Sequence, residues 1–286
     1  MKKKHTLIFP FLAVLALLFV SCSNSSQKNA QEASEDSIAQ LKKSMDTVSI
    51  KDGGIPIFYN MYLSVEMSSM FQSMGATYNP SLLNPIDRVN QYEASTEKAV
   101  NLGVYAVDLT YSKYFDQFED AGKYLKNMHK LAVELGIPDD KFYVSLKRIE
   151  NNITNKDSLI RIANELYTTT EDYLKNSDRE SAAALIIAGG WIEAMQIATS
   201  MVTDNNKDLE LVERIADQSV SLNNLIDLLS KFQKEPYTKD LILKLGDLKS
   251  SFIGLTVKDQ KLDENAIKQL KDLTVKIQSL RKSITA

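Results

Sequence analysis

Residues 101–118, NLGVYAVDLTYSKYFDQF, hold the densest set of reactive side chains in the chain. Gly103, Tyr105, Asp108, Tyr111 and Tyr114 recur there at helical spacings of two and three. Asp108 falls between Val107 and Leu109, and Val104, Tyr111 and Phe115 share its helical face. A carboxylate in that setting must be paired or hydrogen-bonded, or its pKa rises. Two readings follow. One is a tyrosine-lined ligand pocket holding a single acid. The other is a core in which tyrosine hydroxyls satisfy Asp108, the commoner fate of buried polar groups.

A second oddity is Ala188-Gly189-Gly190-Trp191, in the middle of a continuous helical pattern over 179–201. Two glycines inside a helix cost on the order of 1 kcal/mol each relative to alanine. Close approach of another helix, a kink or backbone bared to a ligand would offset that cost. Trp191 is the single tryptophan, and Glu193 lies one turn after Gly189. Were Gly189 and Gly190 to face Tyr105 and Asp108, the two segments would form one site. The candidate pocket is therefore Tyr105, Asp108, Tyr111, Gly189, Gly190 and Trp191.

Histidine chemistry is nearly excluded, because His5 and His129 are the only imidazoles. His5 belongs to an expected export signal. His129, next to the apolar Met128, sits at the edge of a helical stripe and reads as a surface or half-buried residue. No phosphate loop, GxGxxG turn or calcium loop occurs. Residues 204–208 (DNNKD) carry calcium-like oxygens but lack the glycine and distal glutamate of an EF-hand, so they read as a capped loop. No catalytic residue, metal ligand or cofactor is expected, which favours a protein that is not an enzyme.

The clearest chemistry is at the N-terminus. Lys2, Lys3 and Lys4 precede an apolar run from Leu7 to Val20, interrupted only by Pro10, and Ser21 and Cys22 follow. A positive start, a short apolar stretch and a small residue before the cut are the parts of a secretory signal. The run is too short for a comfortable membrane span, which takes about 20 apolar residues. Cys22 is the only cysteine, so no internal disulfide can form.

Phe19-Val20-Ser21-Cys22 resembles the lipobox of bacterial lipoproteins, with Phe19 where that pattern usually has Leu, Val or Ile. The resemblance implies removal of residues 1–21, a diacylglycerol on the Cys22 thiol, and attachment to a lipid bilayer. Two or three acyl chains, at about 0.8 kcal/mol per buried methylene, give a stable anchor. More broadly the chain resembles helical lipoproteins of Bacteroides-type bacteria to which no activity attaches. The run after Cys22 lacks the early acidic residues associated with surface export in that group, so the expected location is the outer membrane, facing the periplasm.

Gly103-Val104-Tyr105-Ala106-Val107-Asp108 also resembles the GxHxxE motif of imelysin-like proteins, which are helical, exported and often lipidated. Here it is GxYxxD, with tyrosine for the histidine and aspartate for the glutamate. The likeness covers six residues of 286. It implies an alternative in which Tyr105 and Asp108 serve an enzyme or ligand site. A purely structural envelope role is the third reading.

The elements that must position these residues are helices. Removing residues 1–21 leaves 31 basic against 37 acidic side chains, a net charge of −6, with no basic stripe for nucleic acid. Residues 22–36 form a lipidated cysteine and polar tether with no apolar cluster. From 37 to 286 amphipathic periodicity is nearly continuous, and Gly136-Ile137-Pro138, 155–158, 176–178, 204–206 and Glu235-Pro236 punctuate it. Apolar stripes run through 142–153 and 159–174. Leu241, Leu245, Leu248, Phe252 and Leu255 step 4-3-4-3, and Leu270, Leu273, Ile277, Leu280 and Ile284 step 3-4-3-4. Those are heptad seams of two paired helices. The expected fold is all-α, an irregular antiparallel bundle of about eight helices, as one domain or two packed sub-bundles. The expected partners are the bilayer and an envelope protein or small ligand.

Overall fold

A computed structural model of the chain describes residues 75–137, 144, 148, 179–202, 209–257 and 261–286, and all of them belong to the unit Val48–Ala286. The described part is 79% helical and contains no strand, an all-α helical bundle. The signal, Cys22, the tether, the stripes over 142–174 and the loop at 204–208 lie outside the described residues.

The described helices are α1 (Ser95–Tyr114), α2 (Phe118–Glu134), α3 (Glu180–Met201), α4 (Leu209–Ser230), α5 (Pro236–Phe252) and α6 (Glu264–Thr285). Two short 3-10 helices, Pro80–Leu82 and Ile86–Asn90, precede them; the first lies within residues 75–85, whose two Asn-Pro pairs mark a loop. At the centre is α3, apolar on nearly every face and buried without interruption from Ala183 to Met195. By length and composition it is apolar enough to cross a membrane, yet 94% of that apolar window is buried within the fold. Its neighbours are α1, α4 and α6, and its broadest contact is with α1. A helix that is hydrophobic all round belongs either in lipid or in the middle of a large core; α3 occupies the second place.

Local chemistry explains the helix ends. The Glu97 carboxylate reaches back to the backbone N–H of Ala94 at 3.0 Å, which satisfies an open donor at the start of α1. Between α1 and α2 the chain turns through Asp116, at φ 58°, a left-handed conformation that aspartate tolerates better than most side chains. The α2 helix stops at Gly136, φ 73°: the N–H of Ile137 donates to Ala132 O at 2.9 Å and that of Gly136 to Val133 O at 2.8 Å. This double bond satisfies carbonyls that a helix end would leave bare. Pro236 opens α5 at a position whose N–H has no helical partner to lose. The Asp263 carboxylate caps α6 by accepting from Ala266 N–H at 2.7 Å.

The two heptad stripes face each other across the α5–α6 pair, with Leu241, Leu245 and Leu248 buried on one side and Leu270, Leu273, Ile277, Leu280 and Ile284 on the other. The α5 stripe outlasts its helix. The chain leaves the helix after Phe252, Gly254 turns it at φ 80°, and Leu255 is buried from beyond the helix end. The last turn of α6 is tied to the other side of the bundle. Asn101 Nδ2 on α1 donates to Ile284 O at 2.7 Å, and Arg88 Nη1 donates to Thr285 O.

Candidate functional site

Gly103 and Gly189 explain why α1 and α3 lie so close. A Cβ added to Gly103 would stand 1.9 Å from Ile186 O and 2.8 Å from Gly190 N. One added to Gly189 would stand 1.8 Å from Val100 O. The two backbones therefore touch, each through the other's glycine. Of the three ways to offset the helical cost of the Gly-Gly pair, the structure uses close packing.

That contact sets side by side the residues that follow it. Asp108 is five residues after Gly103 and Glu193 four after Gly189, and both are fully buried. Glu193 is gripped by Arg281 of α6 in a two-bond fork, Nε to Oε2 at 2.9 Å and Nη2 to Oε1 at 2.9 Å. Asp108 Oδ2 accepts the backbone N–H of Asn84 at 3.2 Å, and Oδ1 receives no N–H or hydroxyl donor. The Asp108 carboxyl lies within hydrogen-bonding reach of Glu193. Glu193 takes both bonds of the guanidinium, and Asp108 is the second buried acid of the same cluster.

Burial, and after it the Glu193 charge, push the Asp108 carboxyl well above the usual carboxylate range; Arg281 and the Asn84 N–H pull the other way and lose. Burial also works against the Arg281 cation, but attraction to Glu193 outweighs it and holds Arg281 above its ordinary value. A raised Asp108 beside a guanidinium held by Glu193 is the direction expected of two acids buried with one cation.

This arrangement fixes a pH dependence. A carboxyl whose folded pKa is raised stabilises the fold fully below its unfolded value, and that contribution is lost as pH rises through the folded value. Asp108→Asn presents an N–H to Glu193 and a carbonyl to Asn84 without any titration. Its expected gain is on the order of 1–3 kcal/mol at pH 8, shrinking towards zero near pH 4. Urea denaturation at both pH values measures it, and a loss of stability at pH 8 would show Asp108 to be ionised in the fold.

Asn84 stitches the loop before α1 onto this cluster. Its N–H goes to Asp108, its carbonyl accepts from Tyr124 Oη at 3.0 Å, and its Nδ2 donates to Tyr92 Oη at 2.8 Å. The Tyr105 hydroxyl donates to Pro85 O at 3.1 Å. The Tyr105 ring stands 6.3 Å from that of Tyr92 and 5.8 Å from that of Tyr124, as tilted pairs. Burial holds both the Tyr105 and Tyr124 phenols far above their ordinary value, so both stay protonated.

Of the six residues the sequence singles out, Asp108 meets the glycine contact directly, through Glu193, and Tyr105 stands in the layer around it. Trp191 is buried on α3, with an indole N–H that has no acceptor among the described residues. Tyr111 stands apart. Its hydroxyl accepts the Asn79 N–H at 3.2 Å and its ring packs 4.9 Å from Phe115 and 5.5 Å from Tyr78. Asn84, Asn101 and Arg281 belong to the cluster and carry no sequence motif. Their only signal is arithmetic: two acids inside apolar runs require a cation, and Arg281 borders the α6 stripe.

The GxYxxD segment does not fit a metal ion. The Tyr105 O–H is engaged as a donor to Pro85 O, Asp108 accepts from Asn84 beside Glu193, and Arg281 already supplies a cation. No three His, Cys, Asp or Glu side chains converge among the described residues. His129 is half-buried on α2. A cleft of about 620 Å³ lies elsewhere, between the end of α3, the start of α4 and α6, and none of the six residues lines it. Compared with known proteins, the chain matches no family model, no curated protein and no solved structure.

Proposed function

We propose that this chain is a lipid-anchored component of the bacterial cell envelope, held at the outer membrane through Cys22 and facing the periplasm, whose helical body binds a ligand or protein partner without catalysing a reaction. The observation that carries the reading is Cys22 itself, the single cysteine of the chain, which follows Ser21 at the end of an apolar run preceded by three lysines. Closure of the Asp108–Glu193–Arg281 cluster supports the non-enzymatic half. Asp108 and Glu193, both fully buried, are poorly placed to meet a substrate, and Arg281 is committed to Glu193. The same closure weighs against an imelysin-like use of Tyr105 and Asp108.

Mass spectrometry of the mature protein from a bacterial host tests the anchor. The expected N-terminal peptide begins at Cys22 and carries two or three acyl chains. Cys22→Ala should abolish the acylated species, accumulate the uncleaved precursor and release the protein from the lipid-modified pool. An unacylated N-terminus shared by both forms would overturn the anchor.

A further inference from the structure

The 620 Å³ cleft falls within the size of small-molecule sites, roughly 300–1,000 Å³, and its walls differ in chemistry. Val212, Leu262, Leu270 and Leu82 give it an apolar floor. Lys271, Thr274 and Gln278 recur at helical spacing along one face of α6 and give it a polar rim. Among the described residues that line it, Lys271 is the one that carries a charge, and it is exposed. In the wall formed by α3, Gln196 donates through Nε2 to Ser200 Oγ at 3.2 Å, and its Oε1 is buried with no donor. A buried acceptor without a partner is costly, and a ligand carrying a donor would remove that cost.

We propose that this cleft binds an anionic acyl amphiphile: an apolar chain on the Leu82–Leu270 floor, a carboxylate at Lys271, and an N–H or O–H close to the head that donates to Gln196 Oε1. N-acylated amino acids and hydroxylated fatty acids share that chemistry. Each requirement answers one feature of the cleft. The floor suits an apolar chain, the lysine on the rim suits an anion, and the unmatched amide oxygen suits a donor. The proposal gives the ligand-binding half of the functional reading a location and is independent of the anchor, because no residue near Cys22 takes part.

Photocrosslinking in membranes that contain the full chain is the test. The probe is N-palmitoylglycine with a diazirine in its chain, and mapped peptides report where it sits. Labelling is expected within 209–212 and 267–275, competed best by unlabelled N-palmitoylglycine, next by palmitate, and poorly by hexadecanol. Comparison with 2-hydroxypalmitate separates amide from hydroxyl donors. Lys271→Glu should lower labelling roughly tenfold while Lys271→Arg preserves it. Gln196→Leu should erase the preference for N-palmitoylglycine over palmitate. Labelling scattered along the chain, labelling unchanged in Lys271→Glu, or equal competition by hexadecanol would each overturn the proposal. Mass spectrometry of Cys22 in the same samples reports the anchor separately, so failure of either is read without the other.

Discussion

Arg281→Met should lower the unfolding free energy by about 3–5 kcal/mol, the largest loss expected from any single polar substitution in this protein. Methionine keeps the apolar length of the arginine stem, so the change removes charge and hydrogen bonds more than volume. It leaves Glu193, fully buried, without either of its two 2.9 Å bonds, beside a second acid. Both carboxyls must then be protonated in the fold or the helices must part. Arg281→Met combined with Glu193→Gln should recover much of the loss, because a neutral amide beside a protonated Asp108 carries no charge to balance. Urea denaturation of the four members of this cycle gives the coupling directly. Trp191, buried on the same helix as Glu193, is a built-in fluorescence reporter. A loss below about 1 kcal/mol for Arg281→Met would mean that the pair is solvated and the cluster open.

Gly189→Ala should be destabilising by about 2–4 kcal/mol, against the direction of helix propensity. In an open helix the same substitution gains about 1 kcal/mol. Here the new Cβ would lie 1.8 Å from Val100 O, and Gly103→Ala would place one 1.9 Å from Ile186 O. Backbone cannot yield as a flexible side chain does, so the two helices must move apart and carry Asp108 and Glu193 with them. Gly246→Ala in α5 is the matched control, since a Cβ there meets nothing within 4 Å, and it should stabilise by up to about 1 kcal/mol. Thermal melts of the three variants settle the sign. Stabilisation by Gly189→Ala would mean that the α1–α3 contact is looser than described.

The features legible in the sequence are those written in local patterns. Gly136 ends α2, Pro236 opens α5, and the stripes of α5 and α6 face inward as their spacing predicts. The Gly189-Gly190 pair reads as close approach because a helix-breaking residue in an apolar helix must be offset by something. Which element approaches it cannot be read locally. Glu193 and Arg281 are 88 residues apart, and Asn101 and Ile284 are 183 apart. Such pairings depend on which helices become neighbours, and no periodicity records that. The stripe of α5 misleads at its end for a related reason: Leu255 keeps the heptad phase and is buried, but the glycine before it ends the helix. Asp108 illustrates the limit of residue-level reading. Its need for a partner is visible from Val107 and Leu109, whereas its main partners, Asn84 and Glu193, come from a loop and from another helix.

The placement of Arg281 also constrains the order of assembly. Asp108 and Glu193 are made first, on the two helices whose backbones touch, and the cation that balances them arrives last, on α6. Docking of α1 on α3 alone would seal two acids in one contact with no counter-charge, a cost that α6 removes. Placement of α6 is therefore expected to couple to the α1–α3 contact, and its pairings with α3 and α1, 88 and 183 residues apart in sequence, are the non-local kind that slows folding.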